Sequence, residues 1–288
     1  MIVKGNLLGV FLLFSAVPAG AIPTPAEIRV EGGDYYIGDV FGPHDFTQRA
    51  NTRLAAFYMQ QTPVTYNFYQ RVFDWAQKHD YRFGNGCNGA IYEDCRPTGA
   101  DDGRHPVTNV SWWDAIVFAN ACSAMTQRSA VYLTPAGNII TAVPDDDLPV
   151  AVHISDTADG YRLPTLAQWQ VAARGGKPAL AQGRYGDRYA GGHNAEDVAW
   201  FTYDYTHEFG TAPVATKRPN ALGLFDMNGN VSEWLQDSYA VDGGQPMYYF
   251  CGGSFLTPVS SLASCDIHTP GFFTPDTGIR LVRNDHES

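Results

Sequence analysis

Asp226 and Glu233 stand seven residues apart, on either side of the turn Asn228-Gly229-Asn230. That pairing is chemically suggestive because calcium wants six to eight hard oxygen ligands at about 2.3–2.6 Å, from carboxylates and from carbonyls that a glycine-rich turn can aim inward. The spacing predicts a structural calcium loop; nothing beside it points to an activated water. A plainer reading of the same residues is a capped turn whose carboxylates accept backbone N–H groups without a metal. Asp145-Asp146-Asp147 is a weaker metal candidate, because adjacent carboxylates diverge, and it reads as a solvated turn. His44, His153, His193, His207 and His268 are scattered, without the i, i+4 pairing of a helical zinc site.

Five cysteines are the other reactive groups. Cys87 and Cys95 lie eight apart in a Gly/Asn-rich stretch that reads as a stapled loop, and Cys251 with Cys265 is the next plausible pair. A Cys95–Cys265 bridge stays open, since connectivity is not encoded in spacing. Cys122 falls on the apolar side of a helix and reads as a buried thiol. Aromatic residues gather at Trp200-Phe201-Tyr203-Tyr205, Tyr248-Tyr249-Phe250 and Phe272-Phe273, either as core or as a platform for a planar ring.

Three helices are predicted to position these groups. Thr62-Pro63-Val64-Thr65 opens the first, with Phe68, Val72 and Trp75 on one face. Ser111 caps the second, whose stripe is Trp112, Ala115, Ile116, Ala119 and Cys122. Thr165 to Gln168 fits a capping box, and that helix stops at Gly175-Gly176. Val131-Tyr132-Leu133 and Ile139-Ile140-Thr141 flank a hairpin turn, and after Gly176 the pattern is one of short strands and turns. Helices early and irregular strands late make the fold class α+β.

The whole chain has 288 residues with 44% hydrophobic and 17% charged, which excludes disorder. Its 29 glycines and 18 prolines describe a loop-rich globule rather than a long-helix bundle. A net charge of −11 repels phosphate backbones and anionic lipid, so nucleic acid is a poor partner. Lys4, the apolar run from Leu7 to Phe14 and the small residues Ala19-Gly20-Ala21 read as a secretory signal peptide over 1–21, with an uncleaved anchor as the rival reading. The run is shorter than the roughly 20 apolar residues of a membrane span. A single domain over 22–288 follows, in a periplasmic or secreted protein.

The chain resembles the formylglycine-generating-enzyme-like, or sulfatase-modifying-factor, family. The match is carried in order by Glu31 to Gly38, Thr62-Pro63-Val64-Thr65, His105-Pro106-Val107 with Val110-Ser111-Trp112, and Gly160 to Thr165 leading to Ala172-Ala173-Arg174-Gly175-Gly176. It continues through Pro219 to Trp234, Gly252-Gly253-Ser254-Phe255 and Gly278-Ile279-Arg280. The resemblance implies an α+β fold related to C-type lectins, poor in regular secondary structure. It also implies calcium ligation by the side chains of Asp226 and Glu233 and the carbonyls of Gly229 and Val231. The family's second calcium site is not matched, Thr206 standing where an acid is expected.

Chemistry departs from the family. Its enzymes hold copper with two cysteines five apart, soft thiolates being suited to Cu(I). Thr257 and Leu262 occupy those positions, so copper is not expected. Ser232 replaces a family tryptophan two residues before Trp234, while Ser254 matches the family's active-site serine. Asp266 and His268 fall in the segment that lines the family's cleft, and with Ser254 and Thr257 they are the candidate catalytic residues. Within the family the chain looks most like the branch that matures the chromophore of the siderophore pyoverdine. The functional expectation is an exported maturation factor assisting oxidation of a small-molecule or peptide precursor in the cell envelope. Two alternatives stand beside it: a non-catalytic binding module of the same fold, and an atypical formylglycine-generating oxidase using Cys251 and Cys265.

Overall fold

The computed structural model describes residues 24–38, 50–92, 94–96, 103–145, 151–201, 210–242, 244–257 and 264–285. Residues 1–21, read above as a signal peptide, and His44, Asp146, Asp147, Tyr203, Tyr205, Thr206, His207 and Leu262 lie outside the described residues.

The described chain begins and ends in one small sheet. Strand β1 (Glu27–Val30) and β4 (Phe57–Gln60) pair antiparallel, and β15 (Val282–Asn284) adds on the other side of β4, so that Ile28, Met59 and Val282 stand in register. Between the first two, β2 (Gly33–Ile37) and β3 (Ala50–Leu54) form a separate ribbon. Helix α1 (Tyr66–Ala76) follows, its first turn closed by the Thr65 side chain accepting from the Phe68 N–H. Phe68, Val72 and Ala76 are buried as the pattern requires. Trp75 is only half-buried and stacks on His79 at 3.8 Å, because Tyr69 and Ala76 take the inner face.

The next strands are short and irregular. β5 (Cys87–Asn88) pairs with β8 (Val107–Thr108), and β6 (Ala90–Ile91) with β7 (Asp94–Cys95). The Cys87–Cys95 disulfide closes this region. Helix α2 (Trp112–Met125) carries a full Ser111/Asp114 capping box and is buried on nearly every side from Trp112 to Ser123. A single stripe understates it: a helix apolar all round belongs in the middle of a core. Cys122 is the free, buried thiol that the spacing predicts, and burial pushes its pKa well up.

The expected hairpin forms only as a turn with one bridge, Leu133 to Ile139. The ladder partner of β9 (Tyr132–Leu133) is instead β10 (His153–Ile154). Asn120, buried on α2, donates to the Tyr132 and Ile140 carbonyls and accepts from the Val131 and Tyr132 N–H groups, which fixes the turn to the helix. Helix α3 (Leu166–Ala173) has the Thr165/Gln168 capping box. Gly175, at φ 87°, ends it, and contrary to the strand-and-turn expectation a short helix α4 (Gly176–Ala181) begins at once. Pro178 at its third position is tolerated because the first-turn N–H groups need no helical partner.

The second sheet positions the site. Its order is β13 (Cys265–His268), β12 (Met247–Cys251), β11 (Ser232–Tyr239) and β14 (Thr277–Gly278), antiparallel except for the parallel β11–β14 pair. Glu233, Cys251 and Cys265 stand in register across three strands, and the Cys251–Cys265 disulfide ties two of them. One face, with Trp234 and Tyr248, packs on α2, where Trp112 stacks on Tyr248 at 3.7 Å. The other, with Leu235, Tyr249 and Cys251, meets Trp169 of α3 and the β1–β4 sheet. Helices and short strands are mixed as α+β requires. Among the described residues no helix is long and apolar enough to cross a membrane.

Candidate functional site

A cleft of about 210 Å³ opens where β12 ends and β11 and β13 begin. It is lined by Ser232, Phe250, Gly253, Thr257, Ser264, Cys265 and Asp266. Pleating explains the grouping: Asp266 pairs with Phe250, and Phe250 with Trp234, so Ser232, Phe250 and Asp266 point to one face.

Beneath the rim lies Ser254, 1% exposed. Its Oγ donates to Asp276 Oδ2 at 2.6 Å and accepts from the Leu256 N–H at 3.1 Å. The Ser254 N–H donates to Thr257 Oγ1 at 2.8 Å, and that hydroxyl donates back to the Ser254 carbonyl at 3.2 Å. The chain turns here because Gly252 and Gly253 adopt φ of 102° and 67°. A Cβ on Gly252 would press within 3.1 Å of the Trp169 ring.

Of the four candidate catalytic residues, Thr257 and Asp266 line the cleft, and Ser254 braces the turn that carries Thr257. His268 is not among the lining residues. It lies two residues along β13 and stacks on Phe272 at 3.3 Å, with Nδ1 accepting from the Thr269 N–H at 2.9 Å. Burial lowers its pKa and the Asp266 charge partly opposes this, so near pH 7 the ring is neutral with its proton on Nε2. Sequence reasoning missed Asp276 as the partner of Ser254. Its signal was its place in Thr274-Pro275-Asp276-Thr277, directly before Gly278-Ile279-Arg280.

The predicted calcium loop is a hub of backbone contacts. Asp226 and Asn230 take φ of 55° and 63°, the left-handed region that Asp and Asn tolerate. Gly229 has to be glycine, since a Cβ there would collide with the Trp200 carbonyl oxygen. Asn228 Oδ1 accepts from the Ala190 N–H, and the Asn230 side chain bonds both ways to the Ala212 backbone. Asp226 Oδ2 accepts from the Ala215 N–H at 2.8 Å. Burial raises the Asp226 pKa against that bond and the nearby Arg280 charge.

Glu233 is filled in another way. Arg280 Nε reaches both its oxygens at 3.0 Å, Nη2 reaches Oε1 at 2.8 Å, and Trp169 Nε1 donates to Oε2 at 2.7 Å. Three N–H groups thus hold the carboxylate, the Nε–H being shared between its two oxygens. With both Glu233 oxygens engaged by Arg280 and Trp169, Asp226, Gly229, Val231 and Glu233 do not fit a calcium ion as a four-ligand set in this arrangement. The positive charge facing the loop is Arg280. Among the described residues there is also no cluster of three or more His, Cys, Asp or Glu side chains able to hold a metal.

Residues 14–285 match the sulfatase-modifying factor enzyme 1-like domain, and the chain belongs to that formylglycine-generating-enzyme-like family. It is 33% identical over 250 residues to the formylglycine-generating enzyme of Streptomyces coelicolor, covering 78% of this chain and 71% of that one. It is also 33% identical over 215 residues to the chaperone protein LppX of Paenibacillus barcinonensis, covering 65% and 73%. Among solved structures, CarF is 51% identical with a TM-score of 0.84, covering 91% of this chain and 99% of CarF. PvdO from Pseudomonas aeruginosa shares the fold at a TM-score of 0.62 and 18% identity, covering 91% and 95%.

The family's copper chemistry requires two free thiolates. Thr257 and Leu262 supply none, and Cys251 and Cys265 are consumed in one disulfide. Cys122 is sealed inside α2. The donor set of the described residues does not fit a two-thiolate copper site.

Proposed function

We propose that the chain is an exported maturation factor that seats one ring of a secreted precursor in the Ser232–Phe250–Asp266 cleft and assists its oxidation without the family's copper site. The observation that supports this most directly is the cleft itself, open at the position of a missing tryptophan and fronted by a hydroxyl where the first copper cysteine would stand. Its size is below the roughly 300–1,000 Å³ of pockets for drug-sized ligands, so it suits one ring of a larger molecule. Export is supported by the N-terminal pattern and by the two disulfides, which an oxidising compartment allows. The substrate type is a dihydroquinoline-like precursor such as that of the pyoverdine chromophore. Aromatisation removes two electrons and two protons from the ring, and dioxygen takes up both as hydrogen peroxide. Asp266, the carboxylate at the cleft rim, accepts a proton as general base.

The test is to add purified protein to an aerated dihydropyoverdine-like precursor and follow the visible absorbance of the aromatised ring. The expected result is acceleration over buffer, reduced in Asp266→Asn; neither binding nor acceleration would overturn the proposal. Binding without acceleration would establish instead the non-catalytic module, a reading favoured by the relative named as a chaperone. A formylglycine-generating role through Cys251 and Cys265 meets the obstacle of their mutual disulfide.

A further inference from the structure

Charge around the cleft is one-sided. Its lining offers one carboxylate, three hydroxyls from Ser232, Thr257 and Ser264, and the Phe250 ring, with no Lys or Arg. Further cations are turned elsewhere: Arg280 is buried against Glu233, whose side chain leaves β11 on the face opposite Ser232. Asp276, also acidic, stands behind Ser254 at 2.6 Å. Burial lowers the His268 pKa, which disfavours its charged form. A flat cation is attracted by the face of an aromatic ring and by a carboxylate at its edge, whereas an anion would be repelled by Asp266 and meet no Lys or Arg among the described lining residues.

Resting on the functional reading above, we infer that the cleft selects a planar cation, an amidinium or guanidinium carried on or fused to the ring, with Phe250 against its face and Asp266 paired to its N–H edge. The three hydroxyls complete the set by accepting the remaining N–H donors. Such a ligand presents several donors in one plane, which matches a lining of one carboxylate and three hydroxyls that can each accept.

Three probes of one shape and different charge test this: benzamidine, benzamide and benzoate, titrated by calorimetry and by saturation-transfer NMR against the mature protein. Benzamidine is expected to bind best and benzoate not to bind. Asp266→Asn is expected to weaken benzamidine about fivefold, the scale of an exposed ion pair, while leaving benzamide unchanged. Ser232→Trp is expected to abolish binding of both with the thermal melt retained. Equal binding of benzamide and benzamidine, or any preference for benzoate, would overturn the charge assignment while leaving the ring-binding cleft in place. Failure of all three probes, together with failure to bind the dihydroquinoline precursor, would remove the functional reading as well.

Discussion

Arg280 and Glu233 form an ion pair in which both side chains are essentially sealed from water, at 0% and 1% exposure, with Nη2 2.8 Å from Oε1. The guanidinium also donates to the Gln60 and Phe225 carbonyls, so one side chain joins β4, the 225–233 loop and β11. Removing one partner leaves an uncompensated buried charge, a loss of about 3–5 kcal/mol. Arg280→Met is therefore expected to lower the urea midpoint severely. Glu233→Gln added to it recovers part of the loss, because glutamine still accepts from Trp169 without carrying a charge. No recovery in the double variant would mean that the lost carbonyl contacts dominate.

The same pair decides the calcium question experimentally. An ion bound only by the native state raises its stability by mass action. With Arg280 already on Glu233, EDTA is expected to leave the thermal midpoint unchanged. A fall reversed by added calcium chloride would show that Glu233 exchanges Arg280 for the ion and would restore the ligand set of Asp226, Gly229, Val231 and Glu233.

Asp226 makes stability depend on pH with a definite sign. Burial raises its folded pKa above the unfolded carboxylate value of about 3.9. Its contribution is thus full below that value and is lost as pH rises through the folded pKa. Asp226→Asn keeps an acceptor for the Ala215 N–H and tolerates the positive φ. It is expected to stabilise the protein at pH 7, because burial disfavours the charged carboxylate and the asparagine carries no charge. The gain should vanish near pH 4. Urea melts at the two pH values check it, and destabilisation at pH 7 would give the Asp226 charge a positive role.

These three tests turn on contacts of unequal legibility. Helix starts were readable because capping is local: Thr65, Ser111 and Thr165 each act within three residues. The Cys87–Cys95 and Cys251–Cys265 pairs were also nearest in sequence. The partners of Glu233, Arg280 and Trp169, could not be read locally because they lie 47 and 64 residues away. Asp276, 22 residues from Ser254, escaped for the same reason. Helix α4 was missed because the glycine that stops α3 also begins the next turn, and a glycine signals only the stop.

The Cys251–Cys265 bridge closes a segment 14 residues apart and links β12 to β13 beside the cleft. A loop of about 15 residues gives on the order of 3 kcal/mol by restricting the unfolded chain. The double variant Cys251→Ser, Cys265→Ser is expected to lose about that much in a urea melt. Loss of benzamidine binding should accompany it only when β13 detaches, read from exchange of the β12–β13 amides. An unchanged midpoint would make the bridge dispensable.

Ser254 is braced by Asp276, and the way its hydroxyl is used defines its role. The proton goes to Asp276 Oδ2, a lone pair receives the Leu256 N–H, and the side chain is buried. A nucleophile would need that oxygen free and facing the cleft; here it holds the turn that presents Thr257. Ser254→Ala removes a charge-assisted hydrogen bond and is expected to cost about 1.5–3 kcal/mol, with weaker binding of the ring. Asp276→Asn still accepts from Ser254 Oγ through its amide oxygen, so the turn is expected to hold with a smaller stability loss than in Ser254→Ala. In the aromatisation assay the positioning role predicts that Ser254→Ala raises KM more than it lowers kcat. A variant with unchanged KM and a kcat reduced a hundredfold or more, about 2.7 kcal/mol in the barrier, would make Ser254 a reacting group instead.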